Sequence, residues 1–310
     1  MRRETNNDRQ QRLFVTGLLI SAVVGALIGL LWPLWFPADS ACETTIPAEV
    51  HGTARLVSRQ EGVMSGIAVF EAAFAAQNPT IRVLATIKDG ERFEAGQTLA
   101  EVEGSVRDLL TAERVALNFA QRMCGIATMT AAFVKAADEA VETTDYRKPR
   151  TYARTRIVDT RKTTPGLRPF EKYAVTCGGG HNHRYGLSDA VMVKDNHLAA
   201  LAEQGIDMAG AIRHIREQVG HTTHIEVEVD RLEQIKAALE GGADTIMLDN
   251  FSLEDTRKGV DLIAGNAIVE ASGNMTLERI PQVAATGVDV ISVGALTHSV
   301  SSIDLGLDWN

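Results

Sequence analysis

Cysteine is scarce in this chain of 310 residues. Its three cysteines, Cys42, Cys124 and Cys177, stand far apart and form no CxxC pair. That excludes a disulfide framework and a cysteine zinc site, and it points to a reducing compartment. Positive charge is also short. Lys and Arg number 31 against 40 Asp and Glu, giving a net charge of −9. A general nucleic-acid binder needs a basic face for phosphates, and this balance does not supply one. Low-complexity tracts and collagen-like periods are missing. With 45% hydrophobic and 23% charged residues, the chain is globular and long enough for one large or two medium domains.

One segment breaks the soluble pattern. Leu13 to Phe36 is a run of 24 residues without a charge, long enough to cross a bilayer as a helix. Arg2, Arg3, Arg9 and Arg12 precede it, so the positive-inside rule places the N-terminus in the cytoplasm. A secretory signal and a buried helix are the alternative readings.

Residues 46–105 read as short strands and turns around one helix. Thr53–Val57 and Ile81–Ile87 alternate in polarity, Thr98–Val102 follows a glycine turn, and Gly66–Phe74 has helical character. The hairpin-like run near Asp89-Gly90 has no lysine at its tip, so it reads as structural rather than as a lipoyl or biotinyl carrier. Residues 106–138 read as a long helix or helix pair. After Tyr152 strands and helices alternate. Strands are predicted at 156–159, 190–193, 224–228, 245–248, 267–270 and 288–293, the last four recurring about every 21 or 22 residues. Helices are predicted at 232–239, 253–263 and 277–285. Units of that size build a parallel sheet with right-handed crossovers, and their regularity suggests a β/α barrel.

Active sites of such barrels lie at the C-terminal strand ends. Here those ends carry Arg161-Lys162, Lys194-Asp-Asn-His197, Glu228, Asp249-Asn250, Ser272-Gly-Asn274 and Gly294. Residues 151–197 hold eight Lys and Arg against four acids in an otherwise acidic chain. A basic pocket in an acidic protein suits a small polyanion, and arginine forks match carboxylates and phosphates. The Gly178–Gly180 run before His181-Asn-His183-Arg184 reads as a donor-rich loop over an anion, preferred to a metal site because no third ligand lies at zinc spacing. The Gly-containing ends at Ser272–Asn274 and Gly294 suit a phosphate at a helix start. Glu228 and Asp249 end neighbouring strands. Such carboxylates ligate Mg²⁺, sit beneath a cationic transition state, or serve a glycosidase; the surrounding Arg and Lys favour a phosphorylated or polycarboxylate substrate.

The collinear runs Glu113–Asn118, Asp159–Arg168, Gly178–Arg184, Lys194–His197, Glu226–Asp230, Leu248–Asn250, Glu270–Asn274 and Ser292–Gly294 resemble the quinolinate phosphoribosyltransferase family over about residues 45 to 310. The resemblance implies an α/β fold, an N-terminal α/β sandwich joined to an incomplete β/α barrel with a phosphate site at the strand ends. The implied division is an atypical apolar segment over 1–45, the sandwich over 46–128 and the barrel over 129–310, with the last residues packing back on the sandwich.

The implied reaction converts quinolinate and phosphoribosyl pyrophosphate into nicotinate mononucleotide, CO₂ and pyrophosphate in NAD biosynthesis, with Mg²⁺ as cofactor. By resemblance, Arg114 reaches the site of a partner in a homodimer or higher oligomer. Arg161, Lys162, His183, Arg184 and Lys194 line the dicarboxylate and pyrophosphate, supported by Arg168 and His197. Lys162, Glu228 and Asp249 are the implied catalytic residues, the two acids also holding Mg²⁺ directly or through water. Ser272, Gly273, Gly294 and His298 match the 5′-phosphate cradle. The chemistry needs no protein nucleophile, so Cys124 and Cys177 read as structural. Asp39 stands where the family has an aspartate in an acidic loop, without the flanking acids. The substrates imply a cytoplasmic enzyme, which demotes export. Residues 13–36 then read as a packed or mis-stated segment first and a membrane tether second. A paralogue with another substrate and an inactive membrane-anchored barrel are the rival functions.

Overall fold

Alternating residues in the first third of the chain pair as antiparallel strands, whereas the apolar runs after residue 155 pair in parallel. The structure, a computed structural model, describes residues 39–142 and 151–309. The apolar run 13–36 lies outside the described residues. Among the described residues no helix is long and apolar enough to cross a membrane. The chain divides into two compact units. Described residues 39–131, 164–179 and 300–309 form the first, and 132–142, 151–163 and 180–299 the second.

The first unit opens on a short helix, Ser40–Thr45. Asp39 caps it, its Oδ1 accepting from Ala41 N at 3.0 Å and Cys42 N at 3.1 Å. Helix-capping is the local job of that aspartate here. Five strands follow: β1 (His51–Ser58), β2 (Gly62–Val63), β3 (Arg82–Ala85), β4 (Arg92–Phe93) and β5 (Thr98–Ser105). Between β2 and β3 runs the helix Ile67–Gln77, which buries Val69, Phe70, Ala73 and Phe74. The expected helix or helix pair at 106–138 is one helix, Val106–Glu142.

The second unit holds β6 (Arg156–Val158), β7 (Val191–Val193), β8 (Ile225–Val229), β9 (Thr245–Asp249), β10 (Ile268–Ser272) and β11 (Val290–Ser292). They form one parallel sheet in the order β6-β11-β10-β9-β8-β7. This is an incomplete barrel, with β6 and β7 at its two edges. Alternation along each strand sends Val227, Ile246, Leu248, Val269 and Ile291 into the core, where all are buried. Each such side chain contributes about 1.5–3 kcal/mol. Local signals fix the crossover helices. Ser252 caps the helix Leu253–Ile263, its hydroxyl accepting from Asp255 N at 3.0 Å. Asp207 caps Met208–Gln218, accepting from Gly210 N at 2.7 Å. The helix expected over 277–285 is shorter, Ile280–Ala284, with Pro281 in its first turn.

The final strand, β12 (Leu305–Trp309), returns to the first unit and pairs antiparallel with β1, in a sheet of order β12-β1-β5-β3. Gln121 holds the returning segment from both sides, accepting from Ile303 N at 3.0 Å and donating to Leu305 O at 2.7 Å. Residues 164–179 also belong to this unit. Their helix Arg168–Cys177 places Glu171 against Arg122, Nε to Oε1 at 2.9 Å, and Tyr173 OH against Asp89 Oδ2 at 2.7 Å. The expected division fell at residue 128 with the last residues on the sandwich; the first compact unit holds residues 300–309 and also 164–179.

Candidate active site

The barrel strands point every second residue inward. On β8 to β11 that parity selects Glu226 and Glu228, Met247 and Asp249, Glu270 and Ser272, and Ser292. At the C-terminal ends of the sheet all of these but Glu226 border a cavity of about 600 Å³. Its lining comes entirely from the second unit and includes Arg161, Lys162, His183, Arg184, Lys194, Glu228, Asp249, Ser272 and Gly273. Nine of the fourteen residues singled out in the sequence thus meet around one space.

Four cations face it. Arg161 and Lys162 follow β6, Lys194 follows β7, and Arg184 rises from the loop between those strands. Lys162 is fixed through its backbone: its N donates to Thr160 Oγ1 at 3.0 Å, and its carbonyl accepts from Thr297 Oγ1 at 2.7 Å. Arg184 donates to Ala190 O at 3.1 Å and to Met192 Sδ at 3.4 Å. Burial, followed by the nearby Arg161 charge, holds the Arg184 guanidinium below its ordinary pKa. An anion between the two arginines relieves both penalties. Lys194 Nζ donates to the Glu228 carboxylate. Asp249 Oδ2 accepts from Asn250 Nδ2 at 2.8 Å.

The loops after β9 and β10 are strained together. Asn250, Gly273 and Asn274 have φ of 57°, 93° and 48°, a left-handed cluster of the kind found at ligand-binding turns. Asn274 Nδ2 donates to Asn250 Oδ1 at 3.1 Å. A Cβ at Gly273 would stand 2.2 Å from that same Oδ1, so only glycine fits. Arg279 ties both loops, donating to Phe251 O at 2.9 Å and Gly273 O at 3.1 Å.

Other expected site residues lie elsewhere. Gly294 and His298 are outside the cavity lining, although a Cβ at Gly294 would meet His298 Nε2 at 3.0 Å and Lys162 Cδ at 3.2 Å. His197 accepts from Lys194 N at 3.0 Å and so caps the helix Asp195–Ala202. Arg168 opens the helix Arg168–Cys177, and Arg114 lies on Val106–Glu142; both belong to the first unit. Cys124 and Cys177 are free and buried there, and burial pushes the Cys124 thiol up to about 12.

Two acids were overlooked as site residues. Glu226 and Glu270 are buried, and His183 stands over both. Its Nε2 lies 3.1 Å from Glu226 Oε2 and 3.6 Å from Glu270 Oε2. The sequence signal was the inward parity of β8 and β10, two residues before Glu228 and Ser272. Burial, then the Glu226 charge, raises Glu270 to about 8. Burial opposes charge on the His183 ring, whereas Glu226, Glu270 and Asp159 outweigh it and raise the imidazole pKa.

Fold and cavity together define an incomplete β/α barrel whose strand ends bring cations and carboxylates around one space. The N- and C-terminal domain models of quinolinate phosphoribosyl transferase match residues 39–124 and 126–308. A probable nicotinate-nucleotide pyrophosphorylase [carboxylating] of Bacillus subtilis is 42% identical, covering 82% of each chain. The nicotinate-nucleotide pyrophosphorylase [carboxylating] of Mycobacterium leprae is 41% identical over 89% of this chain and 92% of its own. The crystal structure of NadC from Streptococcus pyogenes superposes with a TM-score of 0.82 at 37% identity, covering 94% of this chain and 97% of its own. The chain belongs to the quinolinate phosphoribosyl transferase family.

Proposed function

We propose that the chain transfers the phosphoribosyl group of phosphoribosyl pyrophosphate to quinolinate, releasing CO₂ and pyrophosphate and giving nicotinate mononucleotide for NAD biosynthesis. The carrying observation is the convergence of Arg161, Lys162, Arg184 and Lys194 on one cavity that also presents Glu228 and Asp249. Quinolinate is a dianion and its cosubstrate carries more charge, so the cavity must be cationic. As pyrophosphate leaves, C1 of the ribose becomes oxocarbenium-like, and carboxylates at the strand ends stabilise it. The pyridine nitrogen attacks C1. The C2–carboxylate bond then breaks, its electron pair staying on C2 beside the new positive nitrogen until a proton replaces CO₂. The protein supplies positioning and charge, and no nucleophile.

Glu228 and Asp249 offer hard oxygen donors on the cavity wall, a donor set that fits Mg²⁺ held directly or through water. Held by those two acids, the ion would neutralise pyrophosphate charge. Among the described residues, three close side chains of a type that can bind metal are other ones, His183, Glu226 and Glu270. The homodimer, with Arg114 donated to the partner's cavity, belongs to the same proposal, as does a cytoplasmic location. The resemblance of the Glu113–Asn118 run supports the first and the substrates support the second.

The test is CO₂ release dependent on both quinolinate and phosphoribosyl pyrophosphate, measured in soluble and membrane fractions of cells expressing the full chain. Soluble turnover is expected. Turnover confined to the membrane fraction would make residues 13–36 a tether. Turnover with nicotinate in place of quinolinate would mark a salvage enzyme and overturn the proposal.

A further inference from the structure

The least explained groups in the cavity are its buried acids. Glu270 Oε1 and Ser292 Oγ are buried with no hydrogen-bond partner among the described residues, and both residues line the cavity. His183 shows how the acids are used. Its backbone N donates to Asp159 Oδ1 at 2.8 Å, which pins the residue to the end of β6. Its Nδ1 accepts from Arg184 N at 2.8 Å. A ring nitrogen that accepts carries no proton, so the ring proton sits on Nε2 and points at Glu226 Oε2. The same proton occupies the lone pair a metal ion would need, so this trio reads as a hydrogen-bonded unit rather than a metal centre.

The contacts form a continuous chain. Glu226 fixes the tautomer and ring plane of His183. The ring fixes the Arg184 backbone. The Arg184 guanidinium then rests on Ala190 O and Met192 Sδ, facing the cavity. Glu270 lies against the same ring nitrogen. Facing it are Glu226 from β8, His183 and, more distantly, Lys194 after β7, with the Ser292 hydroxyl from β11.

We propose that Glu226 and Glu270 are positioning residues for the dicarboxylate, Glu226 orienting His183 and through it Arg184, and Glu270 filling the floor as the uncharged acid. Two ionised carboxylates around one N–H, out of water, would repel each other and would oppose an anion bound above them. Keeping one proton on Glu270 leaves a single negative charge there. The raised pKa of Glu270, about 8, agrees with that arrangement. Ionisation of Glu270 at higher pH would place a second charge under the substrate and weaken its binding.

This inference rests on the quinolinate reading for its substrate, so the test carries one readout that does not. Imidazole ¹⁵N spectra of the full chain, followed as pH rises, should show the neutral form of His183 as the Nε2–H tautomer, lost or averaged in Glu226→Gln. A Nδ1–H tautomer, or the same spectrum in Glu226→Gln, overturns the positioning chain whatever the protein catalyses. Kinetics supply the second readout. The wild-type KM for quinolinate should rise about tenfold between pH 7 and pH 9 as a group of pKa about 8 ionises. Glu270→Gln, which mimics the uncharged acid, should abolish that rise. Glu226→Gln should raise the quinolinate KM about tenfold, with a smaller change in kcat and in the KM for phosphoribosyl pyrophosphate. A rise that persists in Glu270→Gln overturns the role of Glu270. Absence of turnover in the wild type would instead count against the proposed function, and the tautomer would still decide the positioning chain.

Discussion

Lys194 Nζ is paired with the Glu228 carboxylate, which links the end of β7 to the end of β8 at the mouth of the cavity. The Glu228 side chain is 18% exposed and that of Lys194 42%, so water reaches the pair from the lysine side and screens it in part. Replacing Glu228 by Ala removes a carboxylate from the cavity wall and frees the Lys194 cation beside it. Turnover should fall about 10²–10³-fold in Glu228→Ala and in Asp249→Ala, the range for losing one preorganised electrostatic group. Thermal unfolding measured alongside should move little, because both groups sit on the cavity wall. Full turnover in either variant would remove that acid from the mechanism.

Gly273 should not tolerate alanine. Its φ of 93° and the Asn250 oxygen leave no place for a methyl group. The expected cost is about 1–3 kcal/mol, read as a lowered midpoint in thermal unfolding. The KM for phosphoribosyl pyrophosphate should rise more than that for quinolinate, since the family resemblance puts the 5′-phosphate at this loop. An Ala variant with the wild-type midpoint would contradict the strained loop.

Subunit mixing tests the partner contribution. Arg114→Ala and Arg161→Ala should each be nearly inactive alone. Mixed and exchanged, they should recover activity, because hybrid dimers contain one intact cavity. No recovery after proven exchange would count against donation of Arg114 across subunits.

Glu270 gives stability its own dependence on pH. Its pKa is about 8 in the folded chain against an ordinary 4.5, so the folded protein holds a proton that the unfolded chain releases between those values. Stability therefore falls as pH rises through that window and levels off above it. Glu270→Gln removes the contribution. The variant's unfolding midpoint, relative to wild type, should climb by several degrees from pH 5 to pH 9. A constant difference across that range would show that Glu270 is ionised in the native state at neutral pH.

The barrel was legible because each parallel strand is an apolar run with polar residues at its C-terminal end, and because the repeat of 21 or 22 residues is short and even. The helix Leu253–Ile263 was read to the residue, since Ser252 caps it and an aspartate and a glutamate fill its first turn. The cations at the strand ends were readable for the same reason. Glu226 and Glu270 stayed hidden in the interior of their strands. An acid between apolar residues looks like ordinary alternation until the sheet curls and turns that face inward. His197, read from the resemblance as a support for the site cations, accepts from the backbone N of Lys194 and caps the helix that follows. Pairing of β12 with β1 joins residues about 250 positions apart, and no local pattern encodes it. The placement of residues 164–179 likewise depends on the distant partners Arg122 and Asp89.

That last pairing has a consequence for how the chain is born. The first unit contains most of the early residues, yet one edge of its four-stranded sheet is β12, fastened further by the ion pair of Arg59 with Asp308. A ribosome releases Leu305–Trp309 only after the whole barrel sequence has emerged. Until then β1 presents an unpaired edge, the kind of surface that captures stray strands. The nascent first unit must wait until the barrel residues have been made, and a cell making this protein has a reason to shield that edge while it does.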